Sequence, residues 1–322
     1  MKPGRPSATI TIDGRSLTSF EAGLVRLNVH MAHGTHHTAD LTLWPKSKFS
    51  EAAVGAKITL ALGVDGEDND VLTGEIAGSV GTPSGVRLEA VSATVALSRT
   101  RKSQTYVSQK VGDIVNDLAS DVDIDEVSAD LTLSAYSVDQ RRTVWAHLVE
   151  LASLSGSDLG CSASGGLRFA PPASGPGSTR FMFGATVLDW RLANLTPPPV
   201  PKIAPHGAAS EQGTDKWHWI LHDPVGEGGD PTRIVGAFHT RDAADGLTKV
   251  LEERAARSAL RGRVRLVGES ALRPGAVIEI EDLPGPAAGP FRLLTVRHTF
   301  DARCGFYTDV TVESSGGGGL PF

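Results

Sequence analysis

The first hundred residues alternate between hydrophobic and polar positions with a period of two. The segments ATITIDG, LVRLNVHM, TADLTLWP, AKITLALGV, VLTGEIAGSV and VRLEAVSATVAL all show this alternation, and glycine, proline or aspartate stands at the breaks between them. A strand that buries one face and exposes the other produces such a pattern. We therefore predict an antiparallel β-domain over residues 1–98.

The period changes to that of a helix within residues 99–200. Apolar residues recur there at positions i, i+3, i+4 and i+7, namely Val111, Ile114, Val115 and Leu118. A second helix is predicted in DQRRTVWAHLVELASLSG, with Gly156 as its stop signal. The segment LGCSASGGLRFAPP is typical of two strands joined by a tight turn. This part of the chain is predicted to be an α+β domain.

A proline-rich stretch without periodicity, TPPPVPKIAPHGAASEQGTD, is predicted to be a stiff linker or an ordered surface strap. It is followed by the strand patterns KWHWILHD and TRIVGAFHT and by a helix pattern in DAADGLTKVLEERAARSAL. Four strand patterns end the chain: GRVRLVG, AVIEIED, FRLLTVRHTF and GFYTDVTV. We predict a second β-domain over residues 201–312 and a flexible glycine-rich tail over residues 313–322.

Two distant segments of the sequence resemble each other. Gly55-Ala-Lys-Ile-Thr-Leu is similar to Gly275-Ala-Val-Ile-Glu-Ile, and each is followed by a polar loop and another strand. In that following strand we align Gly74-Glu-Ile-Ala-Gly-Ser-Val with Pro290-Phe-Arg-Leu-Leu-Thr-Val. An internal duplication explains the similarity. Gly-Ala before an alternating strand is nevertheless common in β-proteins, so spacing alone leaves both explanations open.

The composition narrows the class of protein. A chain of 322 residues with 40% hydrophobic and 21% charged residues is long enough for two or three folded domains. Its formal net charge of -6 gives no indication of nucleic-acid binding. Two cysteines, Cys161 and Cys304, do not suggest a disulfide framework. We expect no membrane span and no export by the general secretory route, since neither a long apolar stretch nor a signal-peptide core is present.

Two clusters carry candidate chemistry. His30, His33, His36 and His37 lie within eight residues, and imidazoles bind zinc. The histidines surround a turn and lack a helical spacing, so we interpret them as a solvated loop, with a metal-dependent hydrolase as the alternative. Trp217 and Trp219 share one face of a predicted strand, which suits either a carbohydrate platform or core and interface packing. We predict no enzyme and no cofactor, because no catalytic constellation emerges.

The order of the segments resembles the baseplate hub family of contractile tails, which includes phage late-control protein D and the hub portion of VgrG proteins. Three stretches carry the resemblance. The first is VLTGEIAGSV followed by VRLEAVSATVALSRTRKSQTY; the second runs from VSQKVGDIVNDLASDVDI through SVDQRRTVWAHLVELASLSGSDLGCSASGGLRFAPP. The third is RPGAVIEIEDLPG with GPFRLLTVRHTFDARCGFYTDVTV, in which His298 stands at the family's histidine position.

The resemblance implies a mainly β fold with an α+β insertion, in which two similar β-barrel domains flank the α+β domain. Three copies would form a pseudo-six-fold homotrimeric ring that adapts a six-fold inner tube to a three-fold spike. Val312 is followed only by ESSGGGGLPF, so the resemblance is to the split form, whose spike is a separate chain. The implied partners are this spike, the inner tube or a tube-initiator ring, and baseplate wedge proteins. Assembly is expected in the bacterial cytoplasm, into a phage tail or a contractile injection particle.

Contact regions are predicted on the same basis. We expect the strands around Leu60 and Ile278 to make contacts within the trimer. Polar contacts to a neighbouring ring are assigned to Arg99, Arg101 and Lys102. The tail is either disordered or docks on the spike or a neighbouring subunit through Leu320, Pro321 and Phe322. The alternative function is a tail-tip or carbohydrate-binding adaptor that uses Trp217 and Trp219.

Overall fold

The computed structural model describes residues 4–173, 177, 179–205, 229–238, 240–283 and 289–316. Its first part contains the strands β1 (Pro6–Ile12), β2 (Arg15–Thr18), β3 (Leu24–Ala32), β4 (Thr38–Leu43), β5 (Lys57–Val64), β6 (Glu67–Thr82) and β7 (Gly85–Ser92). A short 3-10 turn, Ala93–Val95, leads into helix α1 (Ala96–Arg99). Alternate side chains of these strands are buried, so the period of two is confirmed as the mark of half-buried strands.

The middle of the chain mixes helices with short strands. It contains β8 (Gln104–Lys110), α2 (Val111–Leu118), β9 (Ile124–Val127), β10 (Thr132–Val138), α3 (Val144–Ser155), β11 (Asp158–Cys161) and β12 (Leu167–Ala170). Thr143 caps the start of α3 by accepting a hydrogen bond from the N–H of Ala146. Gly156 ends α3 in a left-handed conformation, as the sequence predicts.

The rest of the chain returns mainly to strands. It contains β13 (Thr179–Met182), β14 (Val187–Asn194), β15 (Pro201–Pro205), β16 (Gly229–Val235), α4 (Arg241–Arg257), β17 (Leu260–Val267), β18 (Val277–Glu281), β19 (Gly289–Asp301) and β20 (Gly305–Ser314). None of the helices in the described ranges has the length and apolarity that crossing a membrane requires.

Thirteen strands form one large sheet. Its order is β14–β17–β20–β19–β3–β4–β7–β6–β5–β1–β2, with β18 paired to β19 and β13 paired to β18. Every pairing in this sheet is antiparallel except that of β13 with β18. The predicted mainly β architecture is therefore confirmed. The two closed barrels expected from the resemblance are not found among the described strands, because the long strand β19 pairs first with β18 and then continues alongside β3.

The large sheet contains an internal repeat of two five-stranded units. Unit A has the order β3–β4–β7–β6–β5, and unit B has the same order in β14–β17–β20–β19–β18. Register shifts interrupt the pairing at matching points in both units. They lie at Leu24/Arg26 and Ile76/Gly78 in unit A, and at Val187/Asp189 and Leu293/Thr295 in unit B. Matching bulges in a matching strand order indicate a duplicated unit.

The sequence similarity around Gly55 and Gly275 coincides with this repeat. Both glycines have positive φ, 90° and 86°, a conformation that favours glycine. The N–H of Gly55 donates to the carbonyl of Ile76 at 2.8 Å, and that of Gly275 donates to the carbonyl of Leu293 at the same distance. Ile76 and Leu293 are therefore equivalent. The structure corrects the sequence alignment by one residue, because Gly74 corresponds to Phe291 rather than to Pro290.

A second hydrophobic core lies outside the large sheet. Helices α2 and α3 pack there against the paired strands β8 and β10 and against the three-stranded sheet of β9, β11 and β12. The packing groups two segments differently from the predicted boundaries. Helix α4, expected with the second β-domain, buries Ala244 and Leu247 in this second core, whereas β13 and β14, expected with the α+β domain, pair with strands of unit B. Contacts between distant segments decide this grouping, and sequence order does not reveal them.

Candidate interaction surfaces and the junction between domains

Leu60 and Ile278 lie inside the chain's own core. Both side chains are fully buried, and Leu60 is paired with Ile10 on one side and with Leu72 on the other. The alternating pattern correctly predicted that both residues lie on strands. Their side chains cannot contact a second chain, however, because they already face the interior of the large sheet.

Lys102 is used within its own domain. Its ammonium donates to the carbonyl oxygens of Asp117 and Leu118, both at 3.2 Å, and to the hydroxyl of Ser120 at 3.0 Å. These carbonyls end helix α2, where backbone acceptors lack partners and a positive charge is favourable. Lys102 thus caps a helix, which limits its availability to another ring.

Arg99 is the exposed last residue of α1, and Arg101 lies in the loop between α1 and β8. Arg101 donates to the carbonyl oxygens of Gln140 at 3.1 Å and Arg141 at 2.7 Å, so it fastens the loop before α3. Arg99 forms an ion pair with Glu75. Arg99 and Arg101 remain exposed and stay candidates for polar contacts with a partner.

Five predicted contact residues lie outside the described part of the chain, namely Trp217, Trp219, Leu320, Pro321 and Phe322.

The histidine-rich loop joins unit A to the α+β domain. His36 lies between the hydroxyls of Thr94, 3.0 Å from its Nδ1, and Ser98, 2.6 Å from its Nε2. Its ring also contacts Trp145 of α3, with a distance of 4.1 Å between ring centroids. Burial lowers the pKa of His36 to about 4, so the ring is neutral at pH 7. Among the described residues, no three His, Cys, Asp or Glu side chains meet as metal ligands.

His33, in the same loop, belongs to a buried cluster of ionisable side chains that we call the junction cluster. It comprises His33, Asp158, Arg257, Arg292 and Glu313. Arg292 on β19 donates to the carboxylate of Asp158 at the start of β11 and, at 2.8 Å, to Glu313 on β20. The cluster therefore ties the α+β domain to unit B.

The junction cluster pairs two guanidinium groups with two carboxylates. Burial by itself lowers the pKa of Arg292, but the carboxylates of Asp158 and Glu313 outweigh burial and raise it. The second guanidinium, that of Arg257, lies 3.4 Å from Glu313. Burial lowers the pKa of His33, whose ring is 3.7 Å from Asp158, so the imidazole adds no charge at pH 7. Two guanidinium groups thus meet two carboxylates in a buried site, and the charge of Arg254 lies close by. Removing one partner from such a site leaves its counterpart buried and uncompensated.

An exposed apolar patch lies at one end of both units and was missed by the sequence analysis. In unit A, Phe20 is 90% exposed and Trp44 is 65% exposed. The equivalent positions in unit B are Phe183 and Val267, also exposed. The N–H of Trp44 donates to Gly23, and that of Val267 donates to Thr186, each at 2.9 Å. These hydrogen bonds match because the patches are repeats of each other.

A signal for this patch was present in the sequence. Phe20 stands in the polar turn TSFEAG and not in a strand pattern, so no core position was available to bury it. Large aromatic side chains that remain exposed in pairs indicate an interaction surface. We call Phe20 and Trp44, together with Phe183 and Val267, the end patches.

The fold is shared with solved tail proteins. The 43 kDa tail protein of prophage MuSo2 from Shewanella oneidensis is 13% identical, with a TM-score of 0.71 over 96% of this chain and 98% of that one. A tail protein from Neisseria meningitidis MC58 is 14% identical, with a TM-score of 0.73 over 96% of both chains. No family model and no curated protein matches the sequence.

A third similar structure comes from a secretion system. It is the Escherichia coli c3393 protein, a component of the type VI secretion system that is structurally similar to the T4 bacteriophage tail proteins gp27 and gp5. The identity is 13% and the TM-score is 0.64, over 97% of this chain and 79% of that one. At these identities the comparisons establish a common fold.

Proposed function

We propose that this protein is a structural baseplate hub of a phage tail or a phage-like contractile injection system. In this proposal three copies form a ring that adapts a six-fold inner tube to a three-fold spike. The spike is a separate chain, and baseplate wedge proteins surround the ring. The protein is assembled in the bacterial cytoplasm and carries out no chemistry of its own.

The internal repeat is the observation that carries the proposal. Each chain contains units A and B, which share strand order and bulge positions. Three chains therefore supply six similar units, the number that a six-fold partner requires. A closed ring also hides its interfaces and leaves few open strand edges. The fold shared with phage tail proteins and with a type VI secretion component supports the same role.

The end patches suit contact with a six-fold partner. Each unit presents one patch, at equivalent positions. A trimer would therefore present six patches, in which those of unit A alternate with those of unit B. A tube ring would then meet the same kind of apolar surface at each of its six subunits. Apolar surface of this kind supplies the driving force in most protein association.

The native mass of the purified chain tests the proposal. The monomer is 33.8 kDa, so a trimer has a mass near 101 kDa, three times that of the chain. We expect this mass by light scattering, and a ring with six lobes by electron microscopy. A monomer that stays monomeric when co-expressed with its spike and tube proteins would contradict the proposal.

A further inference from the structure

Units A and B each have one strand edge without a neighbour in the described part of the molecule. Strand β14 ends the large sheet and pairs only with β17. The last residues of β6, 78–82, pair only with β7. An edge strand presents backbone N–H and C=O groups that another strand can pair with. Each of these two edges is therefore able to accept a further strand.

The internal repeat shows what kind of edge each one is. Strand β14 of unit B is equivalent to β3 of unit A, and residues 78–82 of β6 are equivalent to residues 295–299 of β19. Within the chain β19 pairs with β3, in an antiparallel register that runs from Thr295 opposite Ala32 to Asp301 opposite Arg26. The chain thus uses one edge of each kind to join its two units and has one edge of each kind left over.

Burial differs between the used and the unused edges. Leu27 and Val29 on β3 are fully buried, whereas their equivalents Trp190 and Leu192 on β14 are only half-buried against the core. On β6, Ser79 and Gly81 are exposed, whereas their equivalents on β19, Val296 and His298, are fully buried. A neighbouring strand would remove water from these residues as β19 does for β3.

We propose that the 78–82 edge of one copy pairs with β14 of a second copy, in the register that β19 and β3 adopt within a chain. The residues placed opposite each other are Gly78 and Leu195, Ser79 and Asn194, Val80 and Ala193, Gly81 and Leu192, and Thr82 and Arg191. The contact is head-to-tail because the two edges differ, so it closes into a ring or runs on as a filament. The inference rests on the proposed homotrimer, in which three such joints alternate with three joints within chains.

Disulfide trapping tests the register. Directly opposed residues of an antiparallel pair have Cα atoms about 4.5–5.5 Å apart, within the range of a disulfide. The double variant Val80→Cys/Ala193→Cys is made in a Cys304→Ser background, since Cys304 is exposed. After mild oxidation we expect covalent dimers and trimers on a non-reducing gel. Mixing the two single variants should give covalent dimers and nothing larger, because each chain then carries one engineered thiol.

Two matched pairs control the experiment. His30→Cys/Arg297→Cys is the equivalent pair within a chain, and it should lose both thiols without gaining mass. Val80→Cys/Leu188→Cys moves one thiol about 16 Å along β14, at 3.3 Å per residue, and should not cross-link. A trimer by native mass in which Val80 and Ala193 do not cross-link, or in which the Leu188 pair links equally well, overturns the register but not the trimer. A protein that is monomeric and gives no cross-link overturns both.

Discussion

Arg292 links three strands from two parts of the chain through one guanidinium group. It reaches Asp158 on β11 and Glu313 on β20 from its own position on β19. Removing a partner from a buried ion pair is costly, because the remaining charges stay buried without compensation. The junction cluster is therefore the place where a single substitution should have the largest electrostatic effect.

The first prediction concerns Arg292→Met. We expect the free energy of unfolding to fall by about 3–5 kcal/mol, since Asp158 loses its guanidinium partner and Glu313 keeps only Arg257. Urea unfolding followed by circular dichroism measures the change. The control is Arg87→Met, which breaks an exposed, solvent-screened pair with Asp40 and should leave the stability almost unchanged. Equal losses in the two variants would show that the junction cluster is not stabilising.

Single residues were the least predictable level of this structure. The helix at Val111 and the stop at Gly156 followed from local pattern, and the structure has both. The capping role of Lys102 did not follow, because its acceptors lie at the end of α2 and just after it, 15 or more residues further along the chain. The alternating pattern around Leu60 implied that its side chain is buried in the core, as it is. Leu60 was nevertheless predicted to be a contact residue.

At the scale of elements, the two glycine turns before β5 and β18 form a natural pair. Gly55 and Gly275 have the same conformation and the same backbone hydrogen bond. Their surroundings differ. A Cβ added at Gly55 has no atom within 4 Å, whereas one added at Gly275 lies 3.2 Å from the His33 ring and 3.3 Å from the Asp158 carboxylate.

The second prediction compares alanine at these two positions. Gly55→Ala should cost about 1–2 kcal/mol, the usual penalty of a left-handed conformation for a residue with a Cβ. Gly275→Ala should cost more, because its methyl group also crowds the junction cluster. Thermal or urea unfolding of both variants provides the measurement. If the two variants lose the same free energy of unfolding within error, the contact of the added methyl group with His33 and Asp158 does not affect stability.

Strands were predictable where alternation was regular, and their pairing was not. The sequence located β1 and β3 to β7 but passed over β2, a four-residue strand. The similarity at Gly55 and Gly275 pointed to the repeat, yet the alignment slipped by one residue at Gly74. A slip of one residue exchanges the two faces of a strand. The merging of the units into one sheet depends on the length of β19, whose end pairs with a strand far away in sequence.

At the scale of the whole molecule, the end patches lead to the third prediction. Phe20→Ser with Phe183→Ser should weaken co-purification of a tube or tube-initiator protein by tenfold or more, because six apolar contacts per ring are lost. The stability and native mass of the chain should change little, since exposed side chains contribute within about 0.5 kcal/mol. Pull-down with the co-expressed tube protein measures the effect.

Val107→Ser provides the control for the end patches. Val107 is 66% exposed on β8, in the α+β domain and outside units A and B. Its substitution should leave tube binding unchanged. If the double phenylalanine variant binds the tube protein as well as the unmodified chain does, the end patches are not part of the tube interface.

The pairing of β19 with β3 has a consequence for how assembly depends on protein concentration. In the proposed ring, three of the six joints form while each chain folds, because both strands belong to one polypeptide. A ring built from six separate units would form with a yield that depends on the sixth power of their concentration; three doubled units reduce this to the third power. Because the two units are covalently linked, their effective concentration for each other does not depend on the concentration of chains. In the proposed ring, the duplication would therefore let the assembly close from a dilute pool of chains.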